Sequence, residues 1–140
     1  MTAANLLLVP FAAESHTDKV ASMLRTIGYE VTIGAEDVWL EQGPAKSTNL
    51  VVLLLARKRL SHESIIRRLE NTVQVPSFAI IHRQLSGNLS TILSCCDDFS
   101  YSPCDEKELT LRIKRLLTDS PIGSNARSSI AIATIRIPAA

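Results

Sequence analysis

Short apolar runs alternate with longer segments in which apolar residues recur every three or four positions. The runs Leu6–Val9, Leu50–Leu55 and Phe78–Ile81 contain no charged residue. Continuous runs of this kind are typical of strands that are buried on both faces of a parallel sheet. The spaced apolar residues between them predict amphipathic helices. The pattern therefore indicates an α/β protein in which helices cover both faces of one sheet.

The pattern predicts five β-then-α units. The predicted strands are Leu6–Val9, Tyr29–Ile33, Leu50–Leu55, Phe78–Ile81 and Phe99–Tyr101. The last helix is the best specified, because Asp105 and Glu108 form a variant of the capping box at its start. Right-handed crossovers then favour a three-layer, doubly wound, five-stranded parallel sheet with strand order 2-1-3-4-5, which is a flavodoxin-like architecture.

The chain divides by composition near residue 118. Residues 1–118 are predicted to form one domain, and residues 119–140 a linker followed by a β-prone or disordered tail. Asp119–Ser129 is rich in Ser and also contains Pro, Gly and Asn, as linkers do, whereas Ile130–Ile132 and Ile135–Ile137 favour strand. The tail could begin a further domain, pair with a sheet edge, or stay disordered.

Charge and composition exclude several classes of protein. A net charge of +1 over 140 residues gives no overall attraction to nucleic acid or membrane surfaces. The longest apolar runs are too short to span a bilayer, and the N-terminus lacks the features of a signal peptide. Three cysteines without metal-ligand spacing fit a reducing compartment. We therefore expect a cytoplasmic domain without a membrane partner, a metal or a cofactor.

Several segments together resemble the receiver domains of response regulators. Cys96–Pro103, followed by Asp105–Leu117, is similar to the "Ala-Asp-Asp-Tyr-Leu-x-Lys-Pro" segment and capped last helix of that family. Gly28–Val31, Asn49–Leu55 and Val75-Pro76 fall where receivers begin their strands. The resemblance covers about the first four-fifths of the chain and implies the fold predicted above.

The residues that perform receiver chemistry are replaced throughout. Receivers use an acidic pair to hold Mg²⁺, an aspartate as phosphoacceptor, and a hydroxyl and a lysine around the phosphoryl group. The corresponding positions, in that order, are Pro10 and Phe11 for the pair, Leu54 for the acceptor, Ile81 for the hydroxyl and Ser102 for the lysine. The resemblance therefore implies a degenerate pseudo-receiver with no phosphoacceptor, no catalytic residue and no enzymatic activity.

The resemblance also implies how such a domain would signal. We expect a phosphorylation-independent regulatory domain of a bacterial two-component-type regulator, which contacts a protein partner or an output domain that could be a transcriptional activator or a kinase. Receivers dimerise or dock through helix 4, strand 5 and helix 5. The positions on this face are Leu89, Ile92, Phe99, Tyr101, Lys107, Leu111 and Arg115.

Two other functions stay open from the sequence. One is a small-molecule sensor, with an apolar, quinone-like ligand at the strand ends between Phe11, Leu54, Ile81 and Ser102, since doubly wound folds bind ligands there. The other, ranked last, is a flavodoxin-like enzyme. A nucleophile paired with a base, or clustered acids, would indicate an enzyme, and the sequence shows neither.

Isolated polar residues have weaker interpretations. His82 could bind an anion or respond to pH, and His16 could contribute to a metal site, but solvated positions are favoured for both. The basic residues Arg57–Arg59, with Arg67 and Arg68, are interpreted as a solvated face, because no aromatic platform or DNA-reading motif accompanies them. Direct nucleic-acid binding is therefore not expected.

Two further features allow alternatives. Trp39 is either a core anchor or a contact for a partner. Cys95 and Cys96 could be redox-active, although packing at the end of a helix is favoured.

Overall fold

The computed structural model of the chain describes residues 4–56, 62–72, 74–82, 89–102 and 105–119. The basic segment 57–59 and Pro103 of the receiver-like motif lie outside these residues. So does the predicted tail, except for Asp119, which is the last residue of the final helix.

Five strands and five helices alternate along the chain. The strands are β1 (Asn5–Phe11), β2 (Glu30–Ile33), β3 (Leu50–Leu55), β4 (Ser77–His82) and β5 (Asp98–Ser102). The helices are α1 (Glu14–Ile27), α2 (Glu36–Gln42), α3 (His62–Glu70), α4 (Ser90–Ser94) and α5 (Glu106–Asp119). All neighbouring strands are parallel, and the order is β2-β1-β3-β4-β5. The predicted fold class and topology are confirmed.

Alternation along the central strands divides the core into two halves. Leu50, Val52 and Leu54 of β3 pack on the side of α1 and α5. Val51, Leu53 and Leu55 pack on the side of α2, α3 and α4. All six side chains are buried. This burial on both faces explains why β3 is an uninterrupted apolar run, since no position along it faces water.

Strand β1 is longer than the sequence predicts and includes Pro10, which pairs with Leu54 of β3. The Leu8 carbonyl accepts a hydrogen bond from the Gly34 N–H at 2.9 Å, on the β2 side. Backbone groups alternate in direction along a strand, so Pro10 also faces the β2 side, where β2 has already ended at Ile33. The missing proline N–H therefore removes no ladder hydrogen bond.

The two acids of the receiver-like motif have structural roles at the amino ends of β4 and β5. The Asp97 carboxylate accepts a hydrogen bond from the Ser77 N–H at 2.8 Å. The Asp98 carboxylate accepts two hydrogen bonds from Arg112 of α5, at 2.9 and 3.1 Å. Glu108, predicted to cap α5, accepts a hydrogen bond from Arg112 Nε at 3.1 Å. These carboxylates connect β4 and α5 to β5 at the edge of the sheet where the strands begin, opposite their carboxyl ends.

Arg68 has a structural role that the sequence interpretation as a solvated face does not anticipate. Its guanidinium donates hydrogen bonds to the Leu40 carbonyl at 3.0 and 3.2 Å and to the Glu41 carbonyl at 2.6 Å. Carbonyls in the last turn of a helix lack partners within the helix, so Arg68 satisfies two of them and joins α3 to α2. Part of the basic concentration is thereby explained by packing.

Leu54 is expected to behave as a core residue. Its side chain is 0% exposed, whereas that of Leu111 on α5 is 59% exposed. Leu54→Ala should lower the free energy of unfolding by about 2–5 kcal/mol, because it removes buried methyl groups and leaves a cavity. The matched Leu111→Ala substitution should change it by less than about 1 kcal/mol. Chemical denaturation of both variants measures the difference, and equal losses would contradict the burial of Leu54.

Candidate functional site

The five positions that the resemblance assigns to the receiver site are mostly core residues. Phe11 and Ile81 are each 1% exposed and Leu54 is 0% exposed, while Pro10 and Ser102 are half-buried. Phe11 and Ile81 lie in the core half under α2 and α3, and Leu54 lies in the other half. The sheet separates Leu54 from the other two side chains. The prediction of an apolar pocket between Phe11, Leu54, Ile81 and Ser102 is therefore wrong.

A cavity of about 660 Å³ instead lies at the carboxyl edge of the sheet, on the side of α1 and α5. Helix α1, the ends of β4 and β5, and the inner face of α5 form its wall. The lining residues are Ser15, His16, Lys19, Val20, Met23, Ile80, His82, Ser102 and Leu109. Of the five replaced positions, Ser102 alone lines this cavity.

Two histidines meet at the mouth of this cavity. The rings of His16 and His82 are nearly perpendicular, at an interplanar angle of 82°, with centroids 5.5 Å apart. His16 Nε2 also forms a hydrogen bond with the Ser102 hydroxyl at 3.2 Å. His82 and Ser102 are the last residues of adjacent strands and are paired in register. His16 reaches them from the first turn of α1.

The interpretation of both histidines as isolated, solvated residues is therefore wrong. Each is half-buried, and they touch each other. A signal for this was present in the sequence. His82 is two residues after Ile80, so alternation places both on the α1 side of the sheet. What the sequence could not supply was the angle at which α1 leaves β1, which brings His16 over the end of β4.

The electrostatics of this pair favour a neutral His16. Partial burial lowers the pKa of the His16 imidazole below its usual 6.5, and the positive charges of His82 and Lys19 lower it further. The physical cause is that a charged ring at this position would lose hydration and face like charges. The folded structure thus favours the neutral form of the His16 ring.

Comparison with solved structures agrees with this architecture. A CheY-like response regulator from Mesorhizobium loti has 22% sequence identity and a TM-score of 0.66, over 81% of this chain and 98% of that one. The receiver domain of a sensor histidine kinase from Pseudomonas aeruginosa has 22% identity and a TM-score of 0.68, over 84% and 99% of the two chains. NtrX from Brucella abortus has 21% identity and a TM-score of 0.68, over 91% of this chain and 29% of that one.

The fold is that of receiver domains. No protein-family model matches the sequence, and no curated protein matches it either. At these identities the likeness establishes the receiver fold and leaves the chemistry to be argued from the residues themselves.

The interaction face predicted from the resemblance is only partly exposed in the structure. Leu89 is 9% exposed and Ile92 is 0% exposed, so both belong to the core under α3 and α4. These two residues must be removed from the predicted interaction face. Its remaining members differ in exposure. Tyr101 is 46% and Leu111 59% exposed, Lys107 and Arg115 are exposed, and Phe99 is half-buried.

The structure favours a packing role for Trp39 and for the two cysteines Cys95 and Cys96, for which the sequence allows alternatives. Trp39 is 2% exposed and meets Phe11 edge to face, with ring centroids 6.3 Å apart, so it is a core anchor. Burial raises the pKa of the Cys96 thiol to about 12, and burial also raises the pKa of the Cys95 thiol. Because the thiolate is the reactive form of cysteine, neither thiol is activated.

The described part of the chain holds neither a metal cluster nor a membrane span. Among these residues, no three His, Cys, Asp or Glu side chains come together as a metal site would require. Within the same ranges, no helix combines the length and apolar character needed to cross a bilayer.

The His16 ring of this receiver-fold domain should titrate below pH 6.5. Because its pKa is lowered in the folded state, the fold favours the neutral ring, and stability contributed by His16 should fall as pH drops below 6.5. NMR titration of the ring protons measures the midpoint. His82→Gln should move that midpoint upward, though not fully to 6.5, because burial is the largest cause. A wild-type midpoint at or above 6.5 would contradict the described environment.

Proposed function

We propose that the chain is a pseudo-receiver, a regulatory domain of a two-component-type protein that acts through protein contacts without being phosphorylated. The observation that carries the proposal is the burial of Leu54 at the position of the phosphoacceptor. It is 0% exposed and pairs across the sheet with Pro10 and Ile80. An apolar side chain in a closed core can neither form an acyl phosphate nor admit a phosphodonor.

The metal-binding half of the receiver site is replaced as well. The receiver domain from Pseudomonas aeruginosa has a magnesium ion coordinated in its active-site cleft. Magnesium requires hard oxygen ligands in near-octahedral geometry. At the corresponding positions this chain has Pro10 and Phe11, which carry no side-chain oxygen. Both the metal ligands and the phosphoacceptor are missing, so the difference from a phosphorylatable receiver is not limited to one residue. This supports the loss of the whole phosphorylation switch.

The outward face of α5 supports contact with a protein. Lys107, Leu111, Lys114 and Thr118 recur at intervals of three or four residues, so they form one stripe along the helix. All four are exposed, whereas Leu109 and Ile113 on the opposite side are buried. A central leucine flanked by lysines fits a partner that offers an apolar pocket bordered by acidic side chains.

The comparison with longer proteins supports an output domain as that partner. The segment similar to this chain makes up 29% of NtrX, so in that protein the receiver fold is one part of a larger chain. We infer that this domain likewise regulates a transcriptional or kinase output, joined to it or bound to it. A homodimer through α4, β5 and α5 is the other arrangement that this surface allows.

The proposal also covers enzymatic activity and the cellular compartment. We propose no enzymatic role and no cofactor. Among the described residues that line the cavity there is no acid or thiol, and His16, which is hydrogen-bonded to the Ser102 hydroxyl, has no carboxylate among them to orient it as a base. The cysteine content supports a reducing, cytoplasmic compartment.

Phosphodonors should leave the protein unmodified. Incubation with acetyl phosphate and Mg²⁺ should give no increase in intact mass, because the acceptor position on β3 carries a leucine. Mg²⁺ should likewise leave the melting temperature unchanged. A phosphorylatable receiver domain treated in parallel is the positive control. Stoichiometric, base-labile phosphorylation on any aspartate would overturn the proposal.

Any homodimer should be constitutive and depend on α5. Leu111→Asp places a charge at the centre of the stripe and should weaken dimerisation at least about tenfold, as truncation of a central interface contact does. Val38→Asp is the control, because Val38 is 49% exposed on α2, away from this face. Sedimentation analysis measures both dissociation constants.

Truncation of the chain distinguishes a dimer held by α5 from a dimer held by the tail. Removing residues after Ser120 should leave the dimer unchanged if the helical face holds it. Conversion of the truncated chain to monomer would instead show that the β-prone tail holds it, for example by adding to the edge strand β2. A full-length chain that is monomeric at every concentration would exclude the homodimer and leave the output domain as the partner.

A further inference from the structure

We propose that the cavity beside His16 binds a small organic carboxylate that has an apolar body. The cavity lies on the inner side of α5, whereas the proposed protein contact is on its outer side. The proposal of a ligand in the cavity is therefore independent of the proposed protein contact. This ligand differs from the quinone-like ligand considered above in two ways. It binds on the α1 side of the sheet, and it carries a negative charge, because the polar end of this cavity contains groups that recognise an anion.

The polar end has donors of three chemical kinds. The ring of His16 is 5.5 Å from that of His82 between centroids, and its Nε2 is 3.2 Å from the Ser102 hydroxyl. Lys19 is one helical turn after His16 on α1 and lines the same cavity. An ammonium, a hydroxyl and imidazoles that can each take a proton together match the acceptor-only oxygens of a carboxylate.

The other end of the cavity is apolar. Val20 and Met23 continue the α1 wall, Ile80 contributes from β4, and Leu109 contributes from α5. Inorganic phosphate would leave this wall facing water, whereas an alkyl or aromatic body would cover it. A cavity of about 660 Å³ is within the range of sites that enclose small organic ligands.

The charges around the cavity are consistent with an anion. Glu14 and Asp18 of α1 and Asp105 and Glu106 at the start of α5 are exposed, and none of them lines the cavity. No acidic side chain is present among the described lining residues. The like charges that disfavour protonation of His16, on His82 and Lys19, are those that a bound carboxylate would neutralise.

Binding should therefore be linked to proton uptake. A carboxylate stays ionised at pH 6, since its pKa is about 4. Its negative charge would favour the protonated ring of His16, so affinity should rise as pH falls from 8 to 6. This pH dependence distinguishes recognition by the histidines from simple attraction to lysine.

Benzoate and benzyl alcohol test the ligand class, because they share a ring and differ in the carboxylate. At pH 6, NMR titration should show benzoate binding with a Kd below about 1 mM and shifting the Met23 methyl and the His16 ring. Benzyl alcohol and inorganic phosphate should each bind at least about tenfold more weakly, since one lacks the charge and the other the apolar body. Equal binding of all three probes, or no binding of benzoate, would overturn the proposal.

Variants test the assigned residues. Lys19→Ala should weaken benzoate binding about tenfold or more, while Lys46→Ala, which changes an exposed lysine between α2 and β3 that does not line the cavity, should leave it unchanged. Affinity should be several-fold higher at pH 6 than at pH 8 in the wild type. The His16→Gln, His82→Gln double variant should bring that ratio close to one. Unperturbed backbone spectra establish that each variant is folded, and an unchanged pH ratio in the double variant would refute the role of the histidines.

Discussion

Strand β3 is between β1 and β4, and each of its faces is covered by a separate half of the hydrophobic core. Burial of a leucine-sized side chain is worth about 1.5–3 kcal/mol, so six consecutive buried residues make this strand the main apolar contribution of the sheet. In a phosphorylatable receiver the end of this strand must present a carboxylate to water. Here Leu54 continues the core instead. The requirement to bury β3 completely and the requirement to keep a phosphoacceptor are incompatible at that position.

The core residues at the carboxyl end of β1 also affect the neighbouring strands. Pro10 and Phe11 extend β1 into the sheet opposite Leu54 and Leu55, and Phe11 packs against Trp39. On the opposite face of the sheet, the described ends of β4 and β5 carry the polar residues His82 and Ser102. The strand ends thus form an open site on the α1 side that contains hydrogen-bond donors.

The sequence predicts the sheet well because its signals are strong and periodic. Fully apolar runs define β3 and β4, and the alternation of strands with helices leaves one natural order for five parallel strands. Side-chain exposure on short helices was less predictable. Helix α4 has five residues, too few for a clear apolar stripe, so the sequence predicts a surface position for Leu89 and Ile92, whereas both are core residues. The His16–His82 contact could not be derived, since it depends on the packing angle of α1 rather than on spacing along the chain.

Helix α5 connects the two proposed sites. Leu109 lines the cavity from its inner side, and Leu111, two residues later, points outward in the stripe proposed to contact a partner. Arg112 fastens the same helix to β5 through Asp98. A ligand that packs against Leu109 would favour one position of α5, and a partner that prefers that position would then bind more tightly. Linkage requires the converse, so the partner would also tighten ligand binding by the same factor. Under these two proposals, the domain would respond to a carboxylate bound at the carboxyl edge of the sheet.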